Sequence, residues 1–338
     1  MSATTPLITI YGATGNQGGA VARSLLKNPS FRVRALTRNP DSPSSKALAE
    51  KGAEIRAANG LNQESMTGAF EGSWGAFVNI NSDDKAFRSE GPTEFDVGRI
   101  IVDAAIRAKV QHFVFSTGPS STELTKGKVS AKAMDMKHAI EQYARSKKEF
   151  DSVNSICAAW YLENFLVKEI SPIFGGFPFT PDTEGILTFR CPRWGGKEDV
   201  PFVSIAEDYG DIVHGLFLDP VKWNGTVVHG CSDILSFDEL VGLFQEVTGK
   251  PARYEPIEPS WEAFDTFSIP ELEVTKLMFG MTQCSGGRYF GPEPSEKNTA
   301  GILKQATAVA LGLPEDRQRL VSVKEWFKMN FSSCVQRA

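Results

Sequence analysis

LITIYGATGNQGG, which occupies residues 7–19, is the stretch that decides the fold. Its first five residues form a short apolar run of the kind that makes a buried strand. Gly12, Gly15 and Gly18 follow at once with the spacing G-x-x-G-x-x-G, and residues 20–27 show helical spacing. Glycines here permit a tight turn and let backbone amides approach a pyrophosphate, which the amino-terminal end of the helix attracts. The stretch therefore predicts a dinucleotide site, with a purely structural turn as the alternative.

Short apolar strands alternate with helices from residue 7 to residue 159. This alternation is typical of βαβ units whose parallel sheet is covered on both faces. The predicted strands are 7–11, 32–36, 53–58, 76–80, 112–116 and 153–159, with a later one at 226–230. The predicted helices are 20–27, 46–51, 63–70, 94–108, 136–146 and 237–248. The fold class is therefore α/β, a Rossmann-type doubly wound parallel sheet with a smaller α/β carboxy-terminal domain.

The regular alternation of strands and helices ends after Trp160, which marks the expected domain boundary. We expect residues 1–160 to form a cofactor-binding Rossmann domain, with a returning strand near 200–232. Residues 161–199 and 233–338 would form a smaller domain for a substrate or partner. The polar, Gly- and Pro-rich residues 281–299 are predicted to be a loop or poorly ordered, and a lid over the site is one interpretation of them.

Length and composition restrict the class of protein. The 338 residues, 41% hydrophobic and 23% charged, are typical of a soluble globular chain of one or two domains. There is no apolar run of membrane-spanning length and no secretory leader, so we expect a cytoplasmic protein without a membrane partner. The net charge of −5 argues against direct binding of nucleic acid.

Cysteine and histidine spacing gives no sign of a metal site. The cysteines lie far apart with no C-x-x-C pair, which predicts mostly buried free thiols in a reducing compartment. They are Cys157, Cys191, Cys231, Cys284 and Cys334. The histidines also lack ligand spacing, so we expect structural roles for His112, His138, His214 and His229 and no metal.

The end of the second predicted strand indicates which nucleotide would bind. An acidic residue here would accept a hydrogen bond from the ribose 2′-hydroxyl of NAD. The chain instead has Arg38, whose guanidinium can fork onto a 2′-phosphate, with the hydroxyls of Thr37 and Ser42 nearby. Residues 1–150 also carry 20 Lys and Arg against 15 Asp and Glu, whereas the rest of the chain is acidic. We therefore predict NADP(H); the alternative is that Arg38 is a solvated surface charge.

Several motifs together resemble the NmrA-like family of atypical short-chain dehydrogenases, best known for fungal nitrogen-metabolite regulators and an animal NADPH sensor. These motifs are GATGNQGGAVARSLL, RALTRNP, GSWGAFVNINSD, VQHFVFST and AAWYLENF, and the resemblance covers about residues 7–260. It implies that NADP(H) lies between a Rossmann domain and a smaller α/β domain. The implied pyrophosphate contacts are Gly12, Thr14, Gly15, Asn16, Gln17 and Gly18. The other implied contacts are Arg38 on the 2′-phosphate, Asn59 at the adenine, and Asn79, Asn81, Ser116, Thr117, Lys137, Tyr161 and Asn164 towards the ribose and nicotinamide.

The catalytic signal is incomplete. Short-chain dehydrogenases normally pair a Tyr with a Lys four residues later, and the Lys lowers the pKa of the phenol that passes the proton. Lys137 matches the Lys, but Ala133 stands at the Tyr position. We predict Lys137 and Tyr161 as the catalytic residues. The other candidate donors are Glu163, Asp135, His138 and Ser116.

Two functions remain open. The first is an NADP(H)-dependent oxidoreductase that reduces an imine, an iminium or a conjugated system in a bulky hydrophobic molecule, with or without ring formation, in fungal secondary metabolism. The second is a non-catalytic NADP(H) sensor that regulates a transcription factor or another protein partner. An aromatic-rich stretch either lines the substrate pocket or forms the core of the smaller domain. Its members are Trp160, Tyr161, Phe165, Phe174, Phe177, Phe179, Phe189 and Trp194.

Overall fold

A seven-stranded parallel sheet forms the centre of the computed structural model, which describes residues 5–87 and 91–332. Its strands are β1 (Leu7–Tyr11), β2 (Arg32–Thr37), β3 (Glu54–Ala57), β4 (Gly75–Val78), β5 (His112–Thr117), β6 (Ser152–Ala158) and the returning β10 (Val227–Gly230). They lie side by side in the order β10-β6-β5-β4-β1-β2-β3. The predicted doubly wound α/β class is confirmed. The strand order reverses between β1 and β4, which is where ligands bind in such sheets.

Helices cover both faces of this sheet. The helices of the first part are α1 (Asn16–Leu25), α2 (Pro43–Glu50), α3 (Gln63–Phe70), α4 (Glu94–Arg107), α5 (Ser121–Leu124), α6 (Lys132–Arg145) and α7 (Gly210–Leu218). The later ones are α8 (Phe237–Thr248), α9 (Pro270–Cys284), α10 (Asn298–Ala310) and α11 (Val323–Phe331). One face carries α1, α7 and α10, and the other carries α3, α4 and α6. Alternate residues of β5 supply the two cores: Val114 packs on the first face, and Phe113 and Phe115 pack on the second.

Helix boundaries differ from the predicted ones by a few residues, for local reasons. The first helix begins at Asn16 rather than at residue 20, because Gly15 already has the extended backbone of an N-cap. Thr93 and Asp96 form a capping box at the start of α4, and Ser236 and Glu239 form one at α8. Each box satisfies amides at the start of its helix that would otherwise lack a partner.

Two small sheets organise the chain beyond Trp160. The three-stranded sheet has the order β11-β9-β7 and is formed by β7 (Trp160–Tyr161), β9 (Val200–Val203) and β11 (Asp233–Leu235). The pair β8 (Leu187–Pro192) and β12 (Ala252–Ile257) runs parallel. The prediction of a loop over 281–299 is wrong at both ends, because α9 continues to Cys284 and α10 begins at Asn298. The intervening turn is held by bonds such as Gly287 N–H to the Thr282 carbonyl at 2.7 Å.

Of the two interpretations of the aromatic stretch, the core of the second part holds for most of its members. Trp160 packs against several of the rings at centroid distances of 5.7–6.5 Å, among them Phe237 and Phe279. The stretch reaches the cleft described below only through Tyr161. Two small sheets leave a wide space between them, and large rings fill it. The buried members are Trp160, Phe165, Phe174, Phe177, Phe189 and Trp194.

The described cysteines are free thiols: Cys157, Cys191 and Cys231 are buried, and Cys284 is partly buried. Cys334 lies outside the described residues. Within residues 5–87 and 91–332, no group of three or more His, Cys, Asp or Glu side chains could hold a metal ion. In the same ranges, no helix has the length and apolar character needed to cross a membrane.

Candidate cofactor and catalytic site

A cleft of about 820 Å³ opens at the reversal of strand order, over the carboxyl ends of β1, β4, β5 and β6. The structure brings most of the predicted cofactor residues together there. They are Gly12, Thr14, Gly15, Asn16, Gln17, Arg38, Asn79, Asn81, Ser116, Thr117, Lys137, Tyr161 and Asn164. The two remaining predicted residues, Gly18 and Asn59, do not border the cleft. The grouping follows from topology, because the ends of parallel strands meet at one edge of the sheet.

The glycine turn between β1 and α1 leaves room for a phosphate group. Gly12 has φ +82°, and a Cβ there would lie 2.6 Å from the carbonyl oxygen of Asn79. Gly15 precedes α1 without a side-chain cap, so the first amides of the helix are open to an anion. Gly18 has a different role, since a Cβ there would lie 2.3 Å from the Gly12 carbonyl oxygen. Gly18 lets the helix pack against the turn.

Asn59 forms hydrogen bonds within its own turn. Its side-chain oxygen accepts from the Leu61 amide at 3.1 Å, and its backbone amide donates to Ser65 Oγ at 3.2 Å. The neighbouring Ala58 borders the cleft instead. A contact between Asn59 and the adenine would require this turn to open, so that role stays a prediction.

Arg38 is the exposed cation at the mouth of the cleft, with 71% of its side chain accessible. Its Nη1 lies 2.7 Å from Oδ2 of Asp84, in the segment after β4. The two hydroxyls that were expected to assist it have other partners: Thr37 bonds to Asn39, and Ser42 caps α2. One contact to Asp84 leaves the other donors of the guanidinium able to bind a phosphate.

Lys137 points into the cleft but is held by buried acceptors. Its Nζ donates to the Ile80 carbonyl at 2.6 Å and to Glu94 Oε1 at 2.8 Å. Glu94 is buried and the Lys137 side chain is 17% exposed, so this ion pair between α6 and α4 has a buried carboxylate and a partly exposed ammonium. An ammonium has three N–H donors, and two are used here. Lys137 therefore has one N–H for a ligand and a clear structural role besides.

Tyr161 belongs to a compact hydrogen-bond network at the floor of the cleft. Gln17 Nε2 donates to the Tyr161 hydroxyl at 2.5 Å. The other end of the same amide, Oε1, accepts from Ser116 Oγ at 2.6 Å and from the Tyr209 hydroxyl at 2.9 Å. Burial raises the pKa of Tyr161 to about 12, while the bond from Gln17 opposes this rise. Tyr161 therefore remains a phenol at neutral pH, and the ammonium of Lys137, which borders the same cleft, is bonded to Ile80 and Glu94.

The other proposed donors lie outside the cleft. Glu163 accepts from Ser204 Oγ and from the amides of Ile205 and Ala206 at 3.0 Å, so it anchors a turn. Asp135 is held by Ser121, Thr122 and Ser130. His138 lies 3.9 Å from Glu123 and borders a different cavity. Of the candidate donors, the cleft holds Tyr161 and Ser116.

Sequence reasoning missed the opposite wall of the cleft. This wall consists of Phe87, Met134, Val274, Thr275 and Tyr289, which come from four separate segments. It also missed Tyr209, which donates to Gln17 from a π-helical turn over Ile205–Tyr209. No periodic pattern in the sequence predicts this turn. Cys157 lines the cleft too, and burial raises the pKa of its thiol, so the thiolate is disfavoured.

A family model and a curated relative match most of the chain. The NmrA-like family model matches residues 4–312. The protein hkm9 of Aspergillus hancockii, described as an NmrA-like family domain-containing oxidoreductase, is 72% identical over 331 residues, and the match covers 98% of each chain.

Solved structures share the fold at lower identity. NmrA, a negative transcriptional regulator, has been solved with NAD (TM-score 0.73, 20% identity) and with NADP (TM-score 0.70, 19% identity). Each match covers 97% of this chain and 95% of the other. Triphenylmethane reductase of a Citrobacter species, solved with NADP(H), has TM-score 0.68 and 19% identity over 95% of this chain and 99% of its own. The chain belongs to the NmrA-like family.

Proposed function

We propose that the chain is an NADP(H)-dependent oxidoreductase that reduces an imine, an iminium or a conjugated acceptor in a bulky hydrophobic small molecule. The open amides of α1, the Gly12 turn and Arg38 fit the phosphates of NADP(H). When bound, NADPH supplies a hydride. The high identity to a fungal protein described as an oxidoreductase supports this assignment, and with it a role in fungal secondary metabolism.

The protonation state of the Tyr161 phenol is the observation on which we base the choice of acceptor. Its proton is held firmly, since burial raises its pKa to about 12. An iminium needs no proton from the protein, because its nitrogen takes up the electron pair of the C=N bond and becomes a neutral amine. A neutral imine takes one proton, which the Tyr161 hydroxyl can give as the nitrogen becomes strongly basic. The site is therefore better suited to these acceptors than to a ketone that needs strong acid assistance.

Apolar side chains in the lining of the cleft support a hydrophobic substrate. Phe87, Met134 and Val274 offer apolar surface to the same cleft that Tyr161 borders. The aromatic stretch that first suggested a bulky substrate does not contribute this surface, because it is core. Exclusion of water by such a wall would strengthen polar contacts to the reacting nitrogen.

A turnover assay tests this function. Purified protein is given NADPH and a panel of cyclic imines, N-alkylated iminium salts and enones, and the loss of NADPH absorbance is followed. We expect turnover of at least one acceptor, with iminium salts faster than neutral imines of the same skeleton. Tight NADP⁺ binding with no turnover of any acceptor would overturn the reductase and favour the sensor.

A further inference from the structure

We propose that Gln17 is a positioning residue that aims the proton of Tyr161 into the cleft, and that Tyr209 sets the orientation of Gln17. The proposal deepens the function proposed above and rests on it. It differs from the role expected from the glycine motif, in which Gln17 contacts the pyrophosphate.

The side chain of Gln17 is turned into the protein. It is 6% exposed, and both ends of its amide have partners from distant parts of the chain. Ser116 is the penultimate residue of β5, Tyr161 ends β7, and Tyr209 ends the π-helical turn. These bonds use the amide oxygen twice and one of the two N–H donors of the amide nitrogen, and the low exposure of the side chain limits access of a phosphate oxygen to the second N–H.

The direction of each hydrogen bond follows from the donors present. The amide oxygen receives two hydroxyl protons, from Ser116 and from Tyr209. The amide nitrogen, which can only donate, therefore faces the Tyr161 oxygen. Since that oxygen is the acceptor in this bond, its own proton is not used by Gln17. Tyr161 borders the cleft, so its proton is available to a substrate there.

Tyr209 is suited to hold this arrangement. It is fully buried, and burial raises the pKa of its hydroxyl well above the ordinary value, so it stays a donor. Glu163, two residues after Tyr161, accepts from the Ile205 amide at 3.0 Å and fixes the start of the turn that ends at Tyr209. The segment that carries the proton donor thus also anchors the turn that orients Gln17.

The proposed step draws on NADPH, on Tyr161 and on a proton from water. NADPH, when bound, would supply the hydride for the new C–H bond of a neutral imine, and the C=N electron pair would move to nitrogen. The Tyr161 proton forms the N–H bond, and the phenolate left behind is stabilised by the Gln17 amide N–H. A carboxamide is a poor proton relay, so water that enters the cleft after the amine leaves returns the proton to Tyr161.

The substitution Gln17→Glu tests the direction of these bonds, because it keeps the shape and replaces the donating nitrogen with an acceptor. The Tyr161 proton would then turn towards the carboxylate and away from the substrate. At saturating NADPH and neutral imine, we expect kcat of Gln17→Glu to fall about tenfold or more.

We expect Tyr161→Phe to reduce kcat about 100-fold. The double variant Gln17→Glu/Tyr161→Phe should be no slower than Tyr161→Phe alone. Gln17→Met, which adds no charge, should also lower kcat, and Tyr209→Phe should lower it less.

Two kinetic results would overturn the proposal. One is a higher Kd for NADPH in Gln17→Glu with unchanged kcat at saturation, which would make Gln17 a cofactor ligand. The other is multiplication of the two single effects in the double variant, which would show that Gln17 does not act through Tyr161.

A spectroscopic measurement on the NADP⁺ complex does not depend on turnover. The C–O stretch of isotope-labelled tyrosine, taken as wild type minus Tyr161→Phe, differs between a phenol that accepts a hydrogen bond and one that donates. We expect the accepting signature in wild type and the donating one in Gln17→Glu. A donating signature in wild type would overturn the arrangement. An accepting signature in a protein that reduces no acceptor would instead refute the proposed function and leave the geometry intact.

Discussion

The two ends of the cleft are built in different ways. The Arg38 end, formed by Gly12, Gly15 and Arg38, comes from the first 38 residues and depends on turn geometry and one exposed charge. The Tyr161 end, formed by Gln17, Ser116, Lys137, Tyr161 and Tyr209, is assembled from segments up to 192 residues apart and depends on buried hydrogen bonds. The difference shows that the Arg38 end depends on residues close together in the chain, whereas the proton donation that we propose for Tyr161 depends on the whole fold.

The largest effect should come from Lys137, if its main role is the buried ion pair. Lys137→Met leaves the Glu94 carboxylate buried without its partner, so we expect the free energy of unfolding to fall by about 3 kcal/mol or more in chemical denaturation. The double variant Lys137→Met/Glu94→Gln should recover much of this loss. A single variant of wild-type stability that binds NADPH poorly would instead make Lys137 chiefly a cofactor contact.

Gly12→Ala should disrupt the glycine turn at the Arg38 end of the cleft. The added Cβ meets the Asn79 carbonyl oxygen at 2.6 Å in a backbone conformation that L-residues rarely adopt. We expect a loss of about 2 kcal/mol in unfolding free energy, together with loss of NADPH binding measured by fluorescence titration. Gly52→Ala is the matched control: Gly52 also has positive φ, at +97°, but a Cβ there meets nothing within 4 Å. If both variants bind NADPH equally well, close approach at Gly12 is not what the site requires.

Arg38→Ala should weaken NADP⁺ binding about 10- to 100-fold and hardly change NAD⁺ binding, since one charged hydrogen-bond donor is lost. Asp84→Asn should tighten NADP⁺ binding a few-fold, because the carboxylate no longer competes with the phosphate for Arg38. Both are measured by calorimetry with the two cofactors. An equal loss for NAD⁺ and NADP⁺ in Arg38→Ala would contradict the 2′-phosphate role.

The smallest effect is an absence of pH dependence at the Tyr161 end. With a pKa of about 12, Tyr161 keeps its proton throughout the working range, and the fraction able to donate falls only as the pH approaches that value. We therefore expect kcat for a neutral imine to show no loss from Tyr161 ionisation between about pH 7 and pH 10. A decline in that range that disappears in Tyr161→Phe would mean that the phenol is activated when substrate is bound.

Much of the Arg38 end could be predicted from the sequence, because a glycine turn between a strand and a helix constrains its own neighbours. The same reasoning located Lys137 and Tyr161 in the cleft through the family motif, but it could not supply their partners. Glu94 lies 43 residues from Lys137, and Tyr209 lies 48 residues beyond Tyr161. The contact between Asn59 and the adenine stays a prediction, and the structure adds only that the Asn59 side chain accepts from the Leu61 amide in its own turn.

The sequence by itself determined the alternating strands and helices, the glycine turn and the absence of a tyrosine at position 133. These are properties of residues close together in the chain, where spacing and backbone freedom decide. Only the tertiary structure decided that the aromatic stretch is core, that Lys137 pairs with Glu94, and that Gln17 faces Tyr161 rather than solvent. Burial and hydrogen-bond direction depend on which segments meet, and packing of the second part of the chain against the sheet brings those segments together.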